Sequence, residues 1–466
     1  MVPRKIIIDT DPASLPETTV KHELTSHQGV DDILAMLLAC SAIPSELEIL
    51  LISATYGNID VQSCLRNVVS LFYHIEKEIA WRKSVGRDPG FETLRKSKPL
   101  VAVGPDHPLA DEKLMADFFH GKDGLGGIHE SASLNHPIYH PHMTPADTWK
   151  GLFNSVEDSN NPEKGMIEEE LKKTDAESIF TPSRSPGHTE ILRLLRENEP
   201  DTISIIAIGP LTNLALAAAE DPETFLRVQE VVVMGGNIDG PGNMTPVAEF
   251  NIFADSMAAA RLLALTSPHP HTTMPPIPPA PPGQPEGQHP PPHLSPYPKK
   301  LSRQLNLTLF PLDITERHSL TRGEFRSTIN PHLDARSPMA EWMAAFMSAT
   351  FEKVESLHPS ISGDEVALAL HDPLCVWYCM AASDPKWAVQ KNEDIRVEVA
   401  GQWTRGMCVV DRRDRKKRAD GDEGEVAGDT GDWLRGGAGN RVGRCVGSPG
   451  EKTFGGWLLG RVMGDS

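Results

Sequence analysis

The feature that most constrains the fold is a rhythm: short apolar runs alternate with stretches of helical periodicity along most of the chain. Residues 5–9 predict a strand, 30–42 a helix, 47–55 a strand, 61–80 a helix and 100–104 a strand. After an interval, 190–197 (helix), 203–209 (strand), 211–219 (helix), 231–235 (strand) and 256–265 (helix) resume the pattern. A strand at 306–312, helices at 339–351 and 364–380, and strands near 395–399 and 407–410 follow. Apolar strands separated by crossover helices build an open, mostly parallel sheet with helices on both faces. The expected architecture is a single decorated α/β domain, with residues 1–410 as its body and the charged, glycine-rich stretch 411–466 completing it. In such sheets ligands bind outside the carboxyl ends of the strands, so the turns after the strands are where chemistry is to be sought.

Three segments interrupt the rhythm. Residues 13–28 are polar and split the turn after the first strand, 130–186 form a long irregular excursion, and 268–298 hold 14 of the 40 prolines. So many fixed φ angles and missing donors allow only polyproline or irregular chain, and a solvated loop is favoured there over a ligand for proline-reading domains. The net charge of −19 argues against nucleic acid or an anionic membrane as partner. Six scattered cysteines, no apolar run long enough for a membrane helix and no signal-peptide core lead to the expectation of a cytoplasmic protein. The basic run 412–418 is followed at once by acids and reads as a solvated charged loop. His136, His140 and His142 are broken up by prolines and read as surface residues.

The motifs lie where the sheet rule directs. Asp9-Thr10-Asp11-Pro12 ends the first strand and Asp31-Asp32 opens the first helix. Clustered carboxylates at a strand end suit a hard cation such as Ca²⁺ or Mg²⁺, although Asp31 and Asp32 would equally complement a helix dipole. Thr55-Tyr56-Gly57-Asn58 ends the second strand, and Gly209-Pro210-Leu211-Thr212-Asn213 joins a strand to a helix, as a ligand turn or as plain capping. Met234-Gly235-Gly236 leads to Asn243 and then to Pro246-Val247-Ala248-Glu249-Phe250-Asn251, a set of donors and acceptors suited to a sugar. His371-Asp372-Pro373 interrupts an apolar helical pattern, either as a general acid beside a metal ligand or as a capped helix start.

In this order, over residues 6 to about 374, these motifs resemble the inosine-uridine preferring nucleoside hydrolases. The resemblance implies an open α/β enzyme that cleaves the N-ribosyl bond of ribonucleosides, in nucleoside salvage and catabolism, with a bound Ca²⁺. It implies Asp11 as the general base that activates water and as a metal ligand, with Asp32, Asp372 and the Thr212 carbonyl completing the metal set. Asp31 and Asn58 would hold ribose hydroxyls, Asn243, Glu249 and Asn251 would bind the ribose including its 5′-hydroxyl, and Met234 would lie beside the sugar. His371 would be the proton donor to the departing base, and His129 would lie in a loop covering it. The partners implied are the ribonucleoside and further copies of the chain in a homodimer or homotetramer. Cleavage builds positive charge on the ribose and negative charge on the base, which calls for oxygen ligands around the sugar and a donor near the base.

One departure stands out. In the family pattern Gly-x-Asp-Asp follows Asp-Pro directly, whereas here sixteen residues intervene and Asp11 and Asp32 are 21 positions apart instead of five. The longer loop costs only about 1.3 kcal/mol in closure entropy, but metal ligands tolerate displacements of a few tenths of an ångström. The segment either leaves the turn as a loop, with Gly29 closing it in the usual place, or is translated intron. If it disturbs the carboxylates, the chain is a riboside-binding homologue with impaired catalysis. An aspartate-nucleophile phosphatase also begins with Asp-x-Asp after a first strand, but that reading leaves the later motifs unexplained.

Overall fold

Three consecutive isoleucines in the first strand set the layering of the molecule. A computed structural model describes residues 3–13, 29–110, 113, 153, 178–279, 290–357, 360–419, 421–422 and 424–465. In it Ile6 and Ile8 belong to one apolar layer and Ile7 to another, all three fully buried, as the two-residue period of a strand requires. The Ile6/Ile8 face is covered by helices Val30–Cys40, Val61–Ser84, Pro338–Leu357, His371–Ala381 and Phe454–Met463. The Ile7 face is covered by Gly187–Glu197, Thr212–Glu220 and Ser256–Ala264.

The strands are β1 (Arg4–Thr10), β2 (Leu47–Ala54), β3 (Leu100–Val103), β4 (Thr181–Pro182), β5 (Ile203–Ala207), β6 (Glu230–Met234), β7 (Leu307–Phe310), β8 (Ser319–Thr321), β9 (Ala367–Ala369), β10 (Ala388–Glu393), β11 (Arg396–Val397), β12 (Cys408–Val409) and β13 (Val442–Gly447). Nine of them form one sheet in the order β10-β13-β7-β6-β5-β1-β2-β3-β4. Every pairing in it is parallel except β10 with β13 at the edge. β5 and β6 are buried along their whole length, which explains why they read as continuous apolar runs rather than alternating ones. Local capping fixes the helices: the Asp60 carboxylate accepts from the Gln62 and Ser63 N–H groups at one start, and Thr321 with Glu324 forms a capping box at another. No helix among the described residues is long and apolar enough to cross a membrane.

Three sequence expectations need correction or sharpening. The helix expected over 364–380 is divided: Ala367–Ala369 pairs antiparallel with β8, Leu370 N–H donates to the His318 carbonyl, and the helix begins only at His371. An apolar run of this length fits a short strand as well as a helix, and Pro373 is tolerated only because it falls in the first turn. The proline-rich segment is not simply a solvated loop. The buried Arg261 guanidinium donates to the Leu294 and Ser295 carbonyls at 3.1 and 2.8 Å and lies 4.9 Å from the Tyr297 ring centroid. Proline-rich chain has few donors but keeps its carbonyls, and a buried cation without a carboxylate partner uses them. Last, the excursion 130–186 ends in edge strand β4, where Pro182 is admissible because an edge leaves one side unpaired. His129, His136, His140 and His142 lie outside the described residues.

Candidate active site

Two chain segments that the sequence separates converge at the carboxyl end of β1. Ala13 N–H donates to the Gly29 carbonyl at 2.9 Å, so the flanks of the inserted stretch meet. Gly29 adopts φ +112°, and a Cβ there would sit 2.8 Å from the Ala13 Cβ; only glycine suits both demands. Helix Val30–Cys40 starts immediately afterwards, and every residue in it is buried. Its first turn brings Asp32 back to β1: Asp32 Oδ1 accepts from the Thr10 hydroxyl and, at 3.2 Å, from Asp11 N–H. Asn58, after β2, donates its N–H to Asp11 Oδ2 at 2.7 Å and its amide to Asp32 Oδ2 at 3.3 Å. From the late helix, Asp372 N–H donates to Asp31 Oδ2 at 3.3 Å.

The result is a buried cluster of acids. Asp31, Asp32 and Asp372 each offer a carboxylate oxygen, all within 4.8 Å of one another. Asp11 Oδ1 is buried without a hydrogen-bond partner among the described residues, and a Cβ on Gly57 or Gly209 would collide with the Asp11 carboxylate, so both glycines are what lets the chain pass so close. Burial first, then repulsion from Asp32, holds Asp11 well above the usual carboxylate range. Asp32 and Asp372 are raised likewise by burial and by Asp31. Asp31 is raised by burial to about 7, opposed by the N–H groups of Asp372, Gly29, its own residue and His371. Among the described residues, the charges that dominate the shifts of Asp11, Asp32 and Asp372 are those of the other acids, not of a lysine or arginine. Buried acids without a cationic partner are the donor set of a hard divalent cation.

Thr212 opens helix Thr212–Glu220 and makes its own set of bonds. Its hydroxyl donates to Asp255 Oδ2 at 2.6 Å and lies 3.1 Å from the Tyr56 hydroxyl. The expected sugar group forms a second constellation. Asn251 donates its amide to the Met234 and Ile208 carbonyls at 3.3 Å each, and Ile208 N–H in turn donates to the Asp9 carbonyl, which joins this group to β1. Asn243 accepts from Phe250 N–H at 3.0 Å, while its buried amide nitrogen has no partner among the described residues. Glu249 accepts from Gly236, Asn251 and Ile252 N–H groups; it caps helix Phe250–Ala254 and so serves local structure as well as any ligand. His371 is buried, with Nδ1 2.8 Å from the Thr315 hydroxyl. Of the expected site residues, only His129 is beyond the described chain.

Several organising residues escaped the sequence reading. Asp255 accepts from Leu109 N–H at 2.9 Å, from Ala258 N–H at 2.8 Å and from Thr212; an Asp-Ser pair before a helical pattern was a legible cap, but its link to Thr212 was not. Asp313 accepts from three successive N–H groups, Ile238, Asp239 and Gly240, and so fixes the loop leading to Asn243. Asp9, which the first motif includes without a role of its own, accepts from the Asn213 amide at 2.7 Å and is raised by burial to about 7. Asp313 and Thr315 belong to a Leu-Asp-Ile-Thr turn after β7, which the strand-end rule alone would have flagged.

Comparison with known proteins agrees with this architecture. The model of the inosine-uridine preferring nucleoside hydrolase family matches residues 6–427. Uridine nucleosidase 1 of Arabidopsis thaliana is 30% identical over 259 residues, covering 55% of this chain and 52% of its own. The inosine-uridine preferring nucleoside hydrolase of Crithidia fasciculata is 24% identical over 412 residues, 88% and 89% of the two chains. A solved plant nucleoside hydrolase shares the fold with a TM-score of 0.60 at 20% identity, over 99% of both chains.

Proposed function

The chain belongs to the inosine-uridine preferring nucleoside hydrolase family of N-glycosidic-bond hydrolases, and from that premise we propose that it cleaves uridine- and inosine-type ribonucleosides to free base and ribose in a calcium-dependent reaction. One observation carries the reading: buried acids meet at a strand end, three of them within 4.8 Å of one another, with no cationic side chain among the described residues paired to them. Asp11, Asp32, Asp372 and the Thr212 carbonyl are the groups that would hold Ca²⁺, and the orphaned Asp11 Oδ1 fits a ligand or base role. When bound, such a cation orders vicinal hydroxyls and favours deprotonation of water.

The side chains divide the remaining work. Asp11 takes the proton of the attacking water, a role for which a raised carboxylate pKa is suited. Asp31 and Asn58 hold ribose hydroxyls, and Asn243, Glu249 and Asn251 with Met234 enclose the rest of the sugar. The buried, unpartnered amide nitrogen of Asn243 favours a ligand oxygen beside it. His371 serves the departing base as donor, with His129 over the base. Uridine and inosine are the substrates suggested by the names of the relatives. Six buried, unbonded cysteines accord with a reducing, cytoplasmic setting, and assembly as a homodimer or homotetramer belongs to the same reading.

The competing reading is a homologue that binds ribosides without cleaving them because residues 13–28 spoil the metal site. The contact between Ala13 and Gly29 favours the active enzyme. Incubation with a panel of nucleosides, followed by chromatography of the free base, tests the choice. Release of uracil or hypoxanthine, suppressed by a chelator, is expected; riboside binding without any base release would establish the competitor.

A further inference from the structure

Thr315 closes the short helix Leu312–Thr315 behind β7 and is fully buried. Its hydroxyl lies 2.8 Å from His371 Nδ1, the one side-chain hydrogen bond it makes among the described residues. The bond can run either way, and the two directions leave different groups unsatisfied. If Nδ1 carried the hydrogen, the Thr315 hydroxyl hydrogen would be buried without an acceptor. If the hydroxyl donates, the hydrogen is used and only oxygen lone pairs are left over, which is the cheaper arrangement. For a neutral ring, this balance favours Thr315 as donor and Nδ1 as acceptor, with the ring hydrogen on Nε2.

We infer that Thr315 is a positioning residue for leaving-group stabilisation: its hydroxyl holds His371 as the Nε2–H tautomer, ready to give a hydrogen bond to the departing base. The inference rests on the proposed placement of His371 at the departing base, and it narrows the role of His371 from proton donor to hydrogen-bond donor. In the step it serves, the water oxygen bonds to ribose C1′, one water proton passes to Asp11, and the C1′–N bond breaks with its electron pair on the base. His371 Nε2–H meets that negative charge with a hydrogen bond and keeps its proton; the base takes up the proton held at Asp11 on release. Main-chain contact fixes the ring's root, since His371 N–H also serves the Asp31 carboxylate.

The test compares Thr315→Val, Thr315→Ser and His371→Ala in the calcium-loaded protein. Uridine and inosine, whose bases need a donor, are set against 4-nitrophenyl riboside, whose phenolate leaves without one. Thr315→Val is expected to lower kcat by roughly tenfold on the nucleosides and by much less on the nitrophenyl riboside, with KM little changed and Thr315→Ser largely restored. Histidine ¹⁵N NMR supplies a readout free of turnover: His371 should show a protonated Nε2 and an unprotonated Nδ1, shifting toward a mixture in Thr315→Val. An Nδ1–H tautomer in the unmodified protein, or equal losses by Thr315→Val on both substrate classes, would overturn the inference. If His371→Ala is selective for nucleosides and Thr315→Val is not, only the inference fails. If His371→Ala itself loses equally on both, the donor reading fails and the inference with it.

Discussion

Two places where acids are buried, one a group of aspartates and the other a single glutamate, behave as opposites. At the carboxyl end of β1, Asp11, Asp31, Asp32 and Asp372 face one another without a cationic partner among the described residues. On helix Val61–Ser84, Glu78 is just as buried, yet every need is met. It accepts from Arg82 Nε at 2.8 Å, from the Ser337 hydroxyl at 2.7 Å and from Met339 N–H at 3.1 Å, while Arg82 also donates to the Val462 carbonyl at 2.9 Å. Burial is therefore not what marks a functional acid. The mark is a carboxylate whose charge and lone pairs the protein leaves uncompensated, which only a bound ligand can then satisfy.

Substitutions should separate the two groups. Asp32→Asn is expected to lower kcat by about a thousandfold and calcium affinity by at least about a hundredfold, as read by initial rates and calorimetry. It should also raise the melting temperature of the metal-free protein, because one repelling charge is gone. Glu78→Ala is expected to do the reverse. Breaking a buried pair costs roughly 3 to 5 kcal/mol in denaturant unfolding, with calcium affinity and the rate per folded molecule unchanged. A loss of calcium binding in Glu78→Ala would erase the distinction between the two groups.

The pH dependence follows the same division. Asp9 and Asp31 have folded-state pKa values raised to about 7, above the roughly 3.9 of an exposed aspartate. The folded chain thus retains protons that the unfolded chain releases, so their contribution to stability is full below about pH 4 and is lost as the pH rises toward 7. Thermal melts of chelated protein should show that decline, and calcium should flatten it. The smallest expected effect concerns the inserted stretch. Because Ala13 and Gly29 already touch, deleting residues 14–28 should stabilise the protein by about 1 kcal/mol through a shorter loop. A severalfold change in activity on deletion would mean that the segment acts on the acids after all.

Much of the site was legible because its residues sit in short turns at strand ends, where sequence neighbours remain spatial neighbours. Asp11 and Asn58 belong to such turns, Asp32, Asn251 and Asp372 to the first turns of helices, and the apolar runs of β1, β2, β5 and β6 announce the strands before most of them. Illegible parts depend on partners far away in sequence. β13 enters the sheet between β10 and β7, yet Val442–Gly447 contains Gly443, Arg444 and Gly447 and has no apolar run. What makes it a strand is its register beside Leu307–Phe310 and the pairing of Arg444 with Glu393. The split between β9 and helix His371–Ala381 likewise depends on β8, some fifty residues earlier. The bond between Thr315 and His371 could not be read from either motif alone.

The uncompensated acids at the end of β1 are proposed to be a calcium site that drives nucleoside cleavage. The most direct test is a calcium titration of chelator-stripped protein that follows heat of binding and uracil release from uridine in the same samples. One ion per chain, with cleavage rising in step with occupancy, is the predicted result. Full cleavage in the stripped protein, or saturation by calcium without any release of base, would contradict it.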